Sequence, residues 1–447
     1  MKRFQTNRWY FIFTLSALFA ILSLGCSSSS DSDANAGDTD SADAEGPIEI
    51  FSWWTAPGEA DALQALIDVY TEEYPKVALV NVTGTLGDGE DARANLAARM
   101  DKNDPPDTFQ LGPRDFAKWV EYNGDAADNR LENLDALFET EQWSTLYPQG
   151  VLDVLKYNDH YYAVPVNMHR QNSMFYNKSF VAEAEVPTTL EEFFALAETL
   201  QADGIVPLAV SAESGWTLDI LFQSVMSGSG GAKFHSDFYS GKLDLSVAAN
   251  KTKLEKALDD YTKVMSYTNV DAGEMGWEPA AKMLFDDEAA MYIHGDWAKG
   301  YLKTLGWTPG IDFGAAPAPG RADEFVYNVD AFALCKDAPS RGNALNFLRV
   351  IGSAPAQAAF NIIKGSTPVH PDVVTTGWDE IALDTLEHAN SASIVHNVEI
   401  YQFSIPGATS GASDVGMSEQ LLALYKAETT RDELIAWIIA NYDAATK

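Results

Sequence analysis

Two adjacent tryptophans followed by a glutamate form the most informative stretch of the sequence. Residues 48–59 read IEIFSWWTAPGE, so an apolar, strand-like run ends in Trp53 and Trp54, and Glu59 follows a Thr-Ala-Pro-Gly turn. Adjacent side chains on a strand point to opposite faces, so both rings are core only if the sheet is covered on both sides. Otherwise they form an aromatic platform at the carboxyl end of a strand, where open α/β sheets bind ligands. The residues leave both interpretations open, with Trp54 the better platform candidate.

The start of the chain has the composition of a targeting segment. Basic residues lie among the first eight positions, an apolar run follows, and small residues come before Cys26. This pattern predicts a secretory signal peptide over residues 1–25. The ending LSLGC resembles the lipobox of bacterial lipoproteins, which implies lipidation of Cys26; the alternative is an ordinary signal with an incidental cysteine. Residues 26–46, rich in Ser, Asp, Ala and Gly, predict a disordered acidic tether.

The composition limits the partners and the architecture. The chain carries 65 acidic and 30 basic residues, a formal net charge of −35 at pH 7, which disfavours nucleic acid and anionic membranes as partners. After Cys26 only Cys335 remains, so we expect no internal disulfide, no Cys/His metal cluster and no cofactor. We also expect membrane contact only through the lipid anchor. About 400 mature residues exceed one ordinary core, so two lobes are expected.

The alternation of strand-like and helical runs predicts an α/β fold. A strand over 108–111 places Gln110 near a strand end, and a helix is predicted from Trp277 to residue 285. An apolar strand over 289–294 leads into a Gly-Asp-Trp turn, where Asp296 is expected to cap the next helix and Trp297 to be structural.

Several local motifs occur in a specific order. They are WWTAPGE at 53–59, PPDTFQLG at 105–112, VPVNMHRQNSMFYN at 164–177, AAMYIHGDWAKGY at 289–301, NVDAFAL at 328–334 and KGSTPVHPDV at 364–373. Together they resemble the extracellular solute-binding proteins of sugar ABC importers. The similarity is greatest to the branch that binds glucose and related monosaccharides.

The resemblance implies a two-lobed periplasmic-binding-protein fold of the α/β class, in which each lobe is a mixed sheet with flanking helices built from discontinuous pieces. The implied N-terminal lobe is residues 47–164 and 323–369, and the implied C-terminal lobe is residues 168–318 and 373–447. The implied hinges lie near residues 165–167, 319–323 and 370–372.

Carried over position by position, the resemblance also implies a ligand site. Its residues are Trp53, Trp54, Glu59, Gln110, Trp277, Asp330, Lys364 and His396. Gly112 stands where close relatives have Lys or His, and Asn397 follows His396 where the family often has Gly, so two contacts depart from the pattern. His169, Arg170 and Asp296 are expected either to touch ligand or to form polar contacts at a hinge.

The function implied is that of a monomeric, high-affinity receptor that delivers a glucose-like monosaccharide to permease subunits by hinge closure. Aromatic rings cover the C–H faces of a pyranose, and charged or amide groups bind its hydroxyls. Three alternatives stay open: a receptor for another carbohydrate or polyol, a surface lectin without hinge closure, and a glycosidase. The glycosidase would use Glu59 and Asp330 as its carboxylate pair.

Overall fold

Strands and helices alternate over the part of the chain that the computed structural model describes, residues 45–82, 89–125, 127–397 and 416–445. The predicted signal peptide, Cys26 and nearly all of the predicted tether lie outside these ranges. Within them, no helix is long and apolar enough to cross a membrane.

The strands follow the apolar runs of the sequence. They are β1 (Gly46–Phe51), β2 (Val77–Asn81), β3 (Thr108–Leu111), β4 (Lys156–Tyr157), β5 (His160–Tyr161), β6 (Ala163–Arg170), β7 (Ser173–Asn177), β8 (Val206–Ala209), β9 (Ala289–His294), β10 (Phe313–Pro317), β11 (Glu324–Leu334) and β12 (Ile394–Asn397).

The α-helices cover the faces of the sheets. They are α1 (Glu59–Glu73), α2 (Gly89–Asp101), α3 (Phe116–Val120), α4 (Asp135–Thr140), α5 (Trp143–Leu146), α6 (Gln149–Val154), α7 (Leu190–Ala202), α8 (Gly215–Gly230), α9 (Ala232–Tyr239), α10 (Ala248–Met265), α11 (Trp277–Phe285), α12 (Trp297–Thr304), α13 (Arg341–Ile351), α14 (Ala354–Lys364), α15 (Glu380–Ser391), α16 (Met417–Tyr425) and α17 (Arg431–Ala445).

The first sheet has the strand order β12-β11-β3-β1-β2, and β6 also pairs with β11. β1 runs parallel to β2 and β3, whereas β11 is antiparallel to β3 and β6. Because β1 and β3 are parallel neighbours, Trp54 and Gln110 come from the same carboxyl edge of this sheet, as the open α/β pattern requires of a binding edge.

The second sheet has the order β10-β7-β9-β8 and is covered on both faces. Met174 and Met291 belong to the apolar cluster on one face, while Phe175 and Tyr292 belong to the cluster on the other. Alternate side chains of β7 and β9 thus enter two different cores, which is why these strands read as continuous apolar runs.

The chain passes from the first sheet to the second between Arg170 and Ser173, and returns between Pro317 and Glu324. These crossings define two sheet-centred regions. The α/β architecture predicted from the sequence is confirmed, and the lobe boundaries remain a prediction.

Candidate functional site

Elements from the two sheets meet where α12 contacts α1 and α14. Gly58 has a φ of +82°, and a Cβ there would lie 3.1 Å from the carbonyl of Gly300 in α12. A Cβ on Gly300 would in turn lie 2.7 Å from the carbonyl oxygen of Lys364. Only glycine fits these close backbone approaches, so the small residues bring the second sheet's helix directly against the first sheet's helices.

An ion pair lies at this junction. Lys364 Nζ is 2.6 Å from Glu59 Oε1, and the two side chains are 2% and 16% exposed. The ammonium group also lies 5.9 Å from the ring centroid of Trp54 and 5.8 Å from that of Trp297. The ammonium of Lys364 therefore lies beside Glu59 and Trp54, which belong to the region of the first sheet, and beside Trp297, which belongs to the region of the second.

The adjacent tryptophans point in different directions. Trp54 is buried, and its ring packs against Phe360 at 4.7 Å and Phe332 at 5.8 Å between centroids. Trp53 is half-buried and lies under the guanidinium of Arg93. Trp54 is thus a core residue, because it packs in the apolar cluster around the first sheet, and it also lies beside the ammonium of Lys364, where a platform for ligand would have to lie.

A line of polar contacts crosses from the first sheet to the second. Ser52 Oγ donates to Gln110 Oε1 at 2.7 Å, and Gln110 Nε2 donates to Asp330 Oδ1 at 3.1 Å. His169 Nε2 lies 3.1 Å from Asp330 Oδ2, and His169 Nδ1 lies 2.5 Å from Asp296 Oδ1. The imidazole therefore bridges a strand carboxylate of the first sheet and a turn carboxylate beside the second.

The electrostatics of this line favour an imidazolium between two carboxylates. Burial opposes the charged form of His169, but the carboxylate of Asp296, assisted by Asp330, outweighs it and raises the pKa of His169. Burial likewise opposes the charged form of Asp330, but the hydrogen bond and charge of His169 lower the pKa of that carboxyl. Each charge is stabilised by the other.

Aromatic rings of helices α8, α11 and α12 surround His294, which ends strand β9 of the second sheet. Its ring lies 5.2 Å from Trp216, 6.0 Å from Trp277 with near-parallel planes, and 5.0 Å from Trp297. Burial, with a contribution from the charge of Lys364, lowers the pKa of His294 to about 3, so its imidazole is neutral. Its Nε2 is buried without a hydrogen-bond partner among the described residues.

Carboxylates gather beside Trp277. Burial raises the pKa of Glu278, and the nearby charges of Glu59 and Glu213 raise it further. The site therefore combines aromatic rings with acidic groups and one ammonium. This arrangement can bind an uncharged polar molecule with apolar faces.

Comparison with known proteins identifies the family. The family model described as bacterial extracellular solute-binding protein matches residues 56–358, more than half of the chain. The chain belongs to the bacterial extracellular solute-binding proteins. Members of this family are binding receptors rather than enzymes, so the glycosidase alternative is dropped.

Relatives match this solute-binding protein over most of their length. An uncharacterised ABC transporter extracellular-binding protein of Pyrococcus horikoshii is 32% identical over 350 residues, 77% of this chain and 76% of the relative. A probable sugar-binding periplasmic protein of Rhizobium meliloti is 30% identical, covering 89% of this chain and 94% of the relative. The xylose/arabinose-binding protein of Haloferax volcanii is 24% identical, covering 90% and 86%.

Solved structures share the fold. The bacterial solute receptor AcbH, described as having an exclusive preference for β-D-galactopyranose, superposes with a TM-score of 0.69 at 20% identity. The match covers 90% of this chain and 97% of that one. The solute-binding protein therefore has the α/β periplasmic-binding-protein fold expected from the sequence.

Most of the predicted site residues come together in this solute-binding protein. Those joined by the contacts above are Trp54, Glu59, Gln110, His169, Trp277, Asp296, Asp330 and Lys364. Their roles toward a ligand remain predictions.

Three predicted residues do not join these contacts. Trp53 instead lies under the guanidinium of Arg93, which is 4.5 Å from its ring centroid. The guanidinium of Arg170 lies over the ring of Phe325. Arg170 contacts Asp296 through its backbone, because its N–H donates to Oδ2 at 2.8 Å and its carbonyl accepts from the backbone N–H of Asp296 at 2.9 Å. His396, on β12, contacts Glu324, the first residue of β11, whereas Asp330 lies in the interior of that strand.

The prediction that Asp296 caps α12 is wrong. Asp296 occupies the N-cap position without a side-chain capping bond, because its carboxylate accepts from His169 and from the backbone of Arg170. Trp297, expected to be structural, lies beside Lys364 and His169 in the site.

Sequence reasoning missed other residues of the site, namely Trp216, Glu213 and Glu278. Glu278 directly follows Trp277, a predicted site residue, so its position in the sequence could have indicated that it belongs to the site. Trp216 lies in the first turn of α8 and Glu213 just before that helix, which was not among the predicted elements.

Proposed function

We propose that this solute-binding protein is the sugar receptor of an ABC importer and that it binds a neutral monosaccharide, glucose first, between its two sheets. The sugar-binding names of the Rhizobium and Haloferax relatives support the ligand class. The acidic character of the site supports a ligand without negative charge, because an anionic sugar would meet several carboxylates.

The observation that carries the proposal is the convergence of aromatic rings from both sheets on hydrogen-bonding groups. Trp54 comes from the first sheet, and Trp277 and Trp297 come from elements of the second. A pyranose presents apolar C–H faces, which such rings cover, and a rim of hydroxyls, which Glu59 and Lys364 can bind.

The enclosure of the site supports a ligand of one sugar unit. Gln110 is 1% exposed, His169 2% and Asp330 6%, so the polar groups do not line an open groove. A receptor for oligosaccharides would need a longer open cleft. Another carbohydrate or a polyol is the second candidate class, and the Haloferax relative is named for xylose and arabinose rather than glucose.

Hinge motion would admit and enclose the ligand. The proposed lobes are residues 47–164 with 323–369 and residues 168–318 with 373–447, joined at the three predicted hinges. A ligand that contacts both lobes favours the closed form by its differential affinity for it. The closed form would then be presented to the permease subunits of the importer.

A sugar panel with paired variants tests the proposal. We expect a monosaccharide to bind to wild type by calorimetry, and Trp277→Ala to weaken it about 30-fold or more, a loss of about 2 kcal/mol. Trp307→Ala is the matched control, because Trp307 packs against Phe285 and Phe313 in the second region. Equal affinity in both variants would refute the site, and the absence of any sugar binding would refute the ligand class.

The lipid anchor is a separate part of the proposal. Cys26 lies outside the described residues, and its lipidation follows from the lipobox-like ending alone. We expect Cys26→Ser to move the protein from the membrane fraction to the soluble fraction. Equal membrane association of wild type and variant would contradict the anchor, and light scattering would test the predicted monomer.

A further inference from the structure

A buried His-Glu-His cluster lies away from the proposed sugar site. His235 Nδ1 is 2.7 Å from Glu324 Oε1, and His396 Nε2 is 2.6 Å from the same oxygen. One ligand atom from each residue lies within 4.8 Å of the others. The side chains of His235 and Glu324 are fully buried, and that of His396 is 11% exposed.

The cluster joins three elements that are distant in sequence. His235 lies on α9, Glu324 begins β11, and His396 lies on β12, which runs parallel to β11. The separations in sequence are 89 residues for one histidine and 72 for the other. No local spacing motif could therefore reveal the cluster, and no metal site is predicted from the sequence.

The donor set matches a transition-metal site. Two imidazole nitrogens and one carboxylate oxygen are ligands that Zn²⁺ uses, with a fourth position left for water. The second oxygen of Glu324 accepts from Ser227 Oγ at 2.5 Å, which orients the carboxylate as outer-shell partners do. We propose that His235, Glu324 and His396 bind a divalent first-row transition-metal ion such as Zn²⁺.

Metal binding to the two histidines requires the protons that face Glu324 to move. In the metal-free protein, each neutral imidazole can donate its N–H to Glu324 Oε1. Metal binding moves that proton to the other ring nitrogen, so the imidazole stays neutral and no net proton is released. The two nitrogens that would receive protons, Nε2 of His235 and Nδ1 of His396, have no partner among the described residues.

Arg321 sets the expected strength of the site. Its Nε lies 3.2 Å from Glu324 Oε2, on the carboxylate oxygen that the histidines do not face. A metal ion and this guanidinium would both be attracted to the single negative charge of Glu324, and their like charges would repel each other. The affinity is therefore weaker than that of a site whose carboxylate has no cationic neighbour.

The location gives the ion a structural role. Arg321 and Glu324 lie where the chain returns from β10 to β11, and Arg321 Nη1 also donates to the carbonyl of Gln223 in α8. An ion at Glu324 would tie this return segment to α9 and β12. Metal binding is therefore expected to raise the melting temperature.

Metal titration of the full chain, purified without a polyhistidine tag and treated with EDTA, tests the proposal. We expect binding of about one Zn²⁺ per chain, a higher melting temperature with Zn²⁺ than with EDTA, and a visible absorption spectrum with Co²⁺ typical of nitrogen and oxygen ligation. His396→Gln should weaken Zn²⁺ binding about tenfold or more, and Glu324→Gln should do the same if it folds.

The control is His160→Gln, because His160 is exposed and pairs with Asp135 away from the cluster. Its Zn²⁺ affinity should equal that of wild type. His396→Gln decides the test even if substitutions at the fully buried positions prevent folding. Absence of Zn²⁺ binding in wild type, or wild-type affinity in His396→Gln, would overturn the proposal.

Discussion

The ammonium group of Lys364 lies 2.6 Å from the carboxylate of Glu59, although the two residues are 305 positions apart. Glu59 is the first residue of α1, and Lys364 is the last residue of α14. Each charge therefore complements the dipole of its own helix as well as its partner. We propose that a ligand hydroxyl beside this pair accepts from the ammonium and donates to the carboxylate, two charged partners that are already held in place before binding.

Removing the cation of this pair should weaken ligand binding. Lys364→Met loses one charged hydrogen bond of about 1.5–3 kcal/mol and leaves Glu59 without its cation. The expected increase in Kd is about 10- to 150-fold, measured by calorimetry with the sugar that wild type binds.

Lys303→Met is the matched control for this variant. Lys303 lies on α12 and donates to the carbonyl of Ile362 at 3.0 Å, so it shares the neighbourhood without contacting Glu59. Its affinity should stay within about twofold of wild type. An equal loss in both variants would show that the effect is not specific to the ion pair.

Neutralising Glu278 should stabilise the ligand-free protein at neutral and alkaline pH. Burial and the charges of Glu59 and Glu213 raise its pKa, so the ionised carboxylate is less favourable in the folded state than in the unfolded state. Glu278→Gln removes this cost. The melting temperature of the variant should exceed that of wild type at about pH 8, and the difference should shrink toward about pH 4.5. A constant difference across this range would contradict the electrostatic cause.

His169 should stabilise the folded state more at acidic pH than at alkaline pH. Its pKa is raised in the folded state, so its contribution is fully present below the unfolded pKa of about 6.5 and is lost as pH rises through the folded pKa. The melting temperature of wild type should exceed that of His169→Gln most at about pH 6, and less at about pH 9. An excess that grows with pH would refute the imidazolium between Asp296 and Asp330.

Widening the helix junction should oppose closure without touching the ligand. In Gly300→Ala, the new Cβ meets the carbonyl oxygen of Lys364 at 2.7 Å and that of Ile363 at 2.9 Å, and these are backbone atoms that cannot move aside independently of their helix. We expect an increase in Kd of about tenfold and a smaller compaction on ligand binding in solution scattering.

Gly150→Ala is the helical control for that experiment. Its Cβ would meet only the hydroxyl of Tyr327, at 3.1 Å, and lies on the side of the first sheet. It should bind and compact like wild type. Compaction of Gly300→Ala equal to that of wild type would show that this junction does not limit closure.

The sequence predicted the elements well where turns bound an apolar run. The helix Trp277–Phe285 and the strands Thr108–Leu111 and Ala289–His294 have the bounds that the pattern indicated. Thr189 and Glu192 have the spacing typical of a capping box, and both reciprocal hydrogen bonds are present at the start of α7. These features are determined by residues that are close in sequence, so the local sequence pattern is enough to predict them.

The site was less accessible to sequence reasoning because its contacts are not local. Glu59, Gln110, Asp330 and Lys364 could be grouped only through a family resemblance. Helix α8, which carries Trp216, is buried around most of its circumference and so lacks a polar face to define a period.

Calorimetric titration of the wild-type protein with glucose, galactose, xylose and a matched set of oligosaccharides is the most direct test of the central claim. We expect a neutral monosaccharide to bind with one site per chain and more tightly than any oligosaccharide in the set. Binding of oligosaccharides alone, or of no sugar at all, would contradict it.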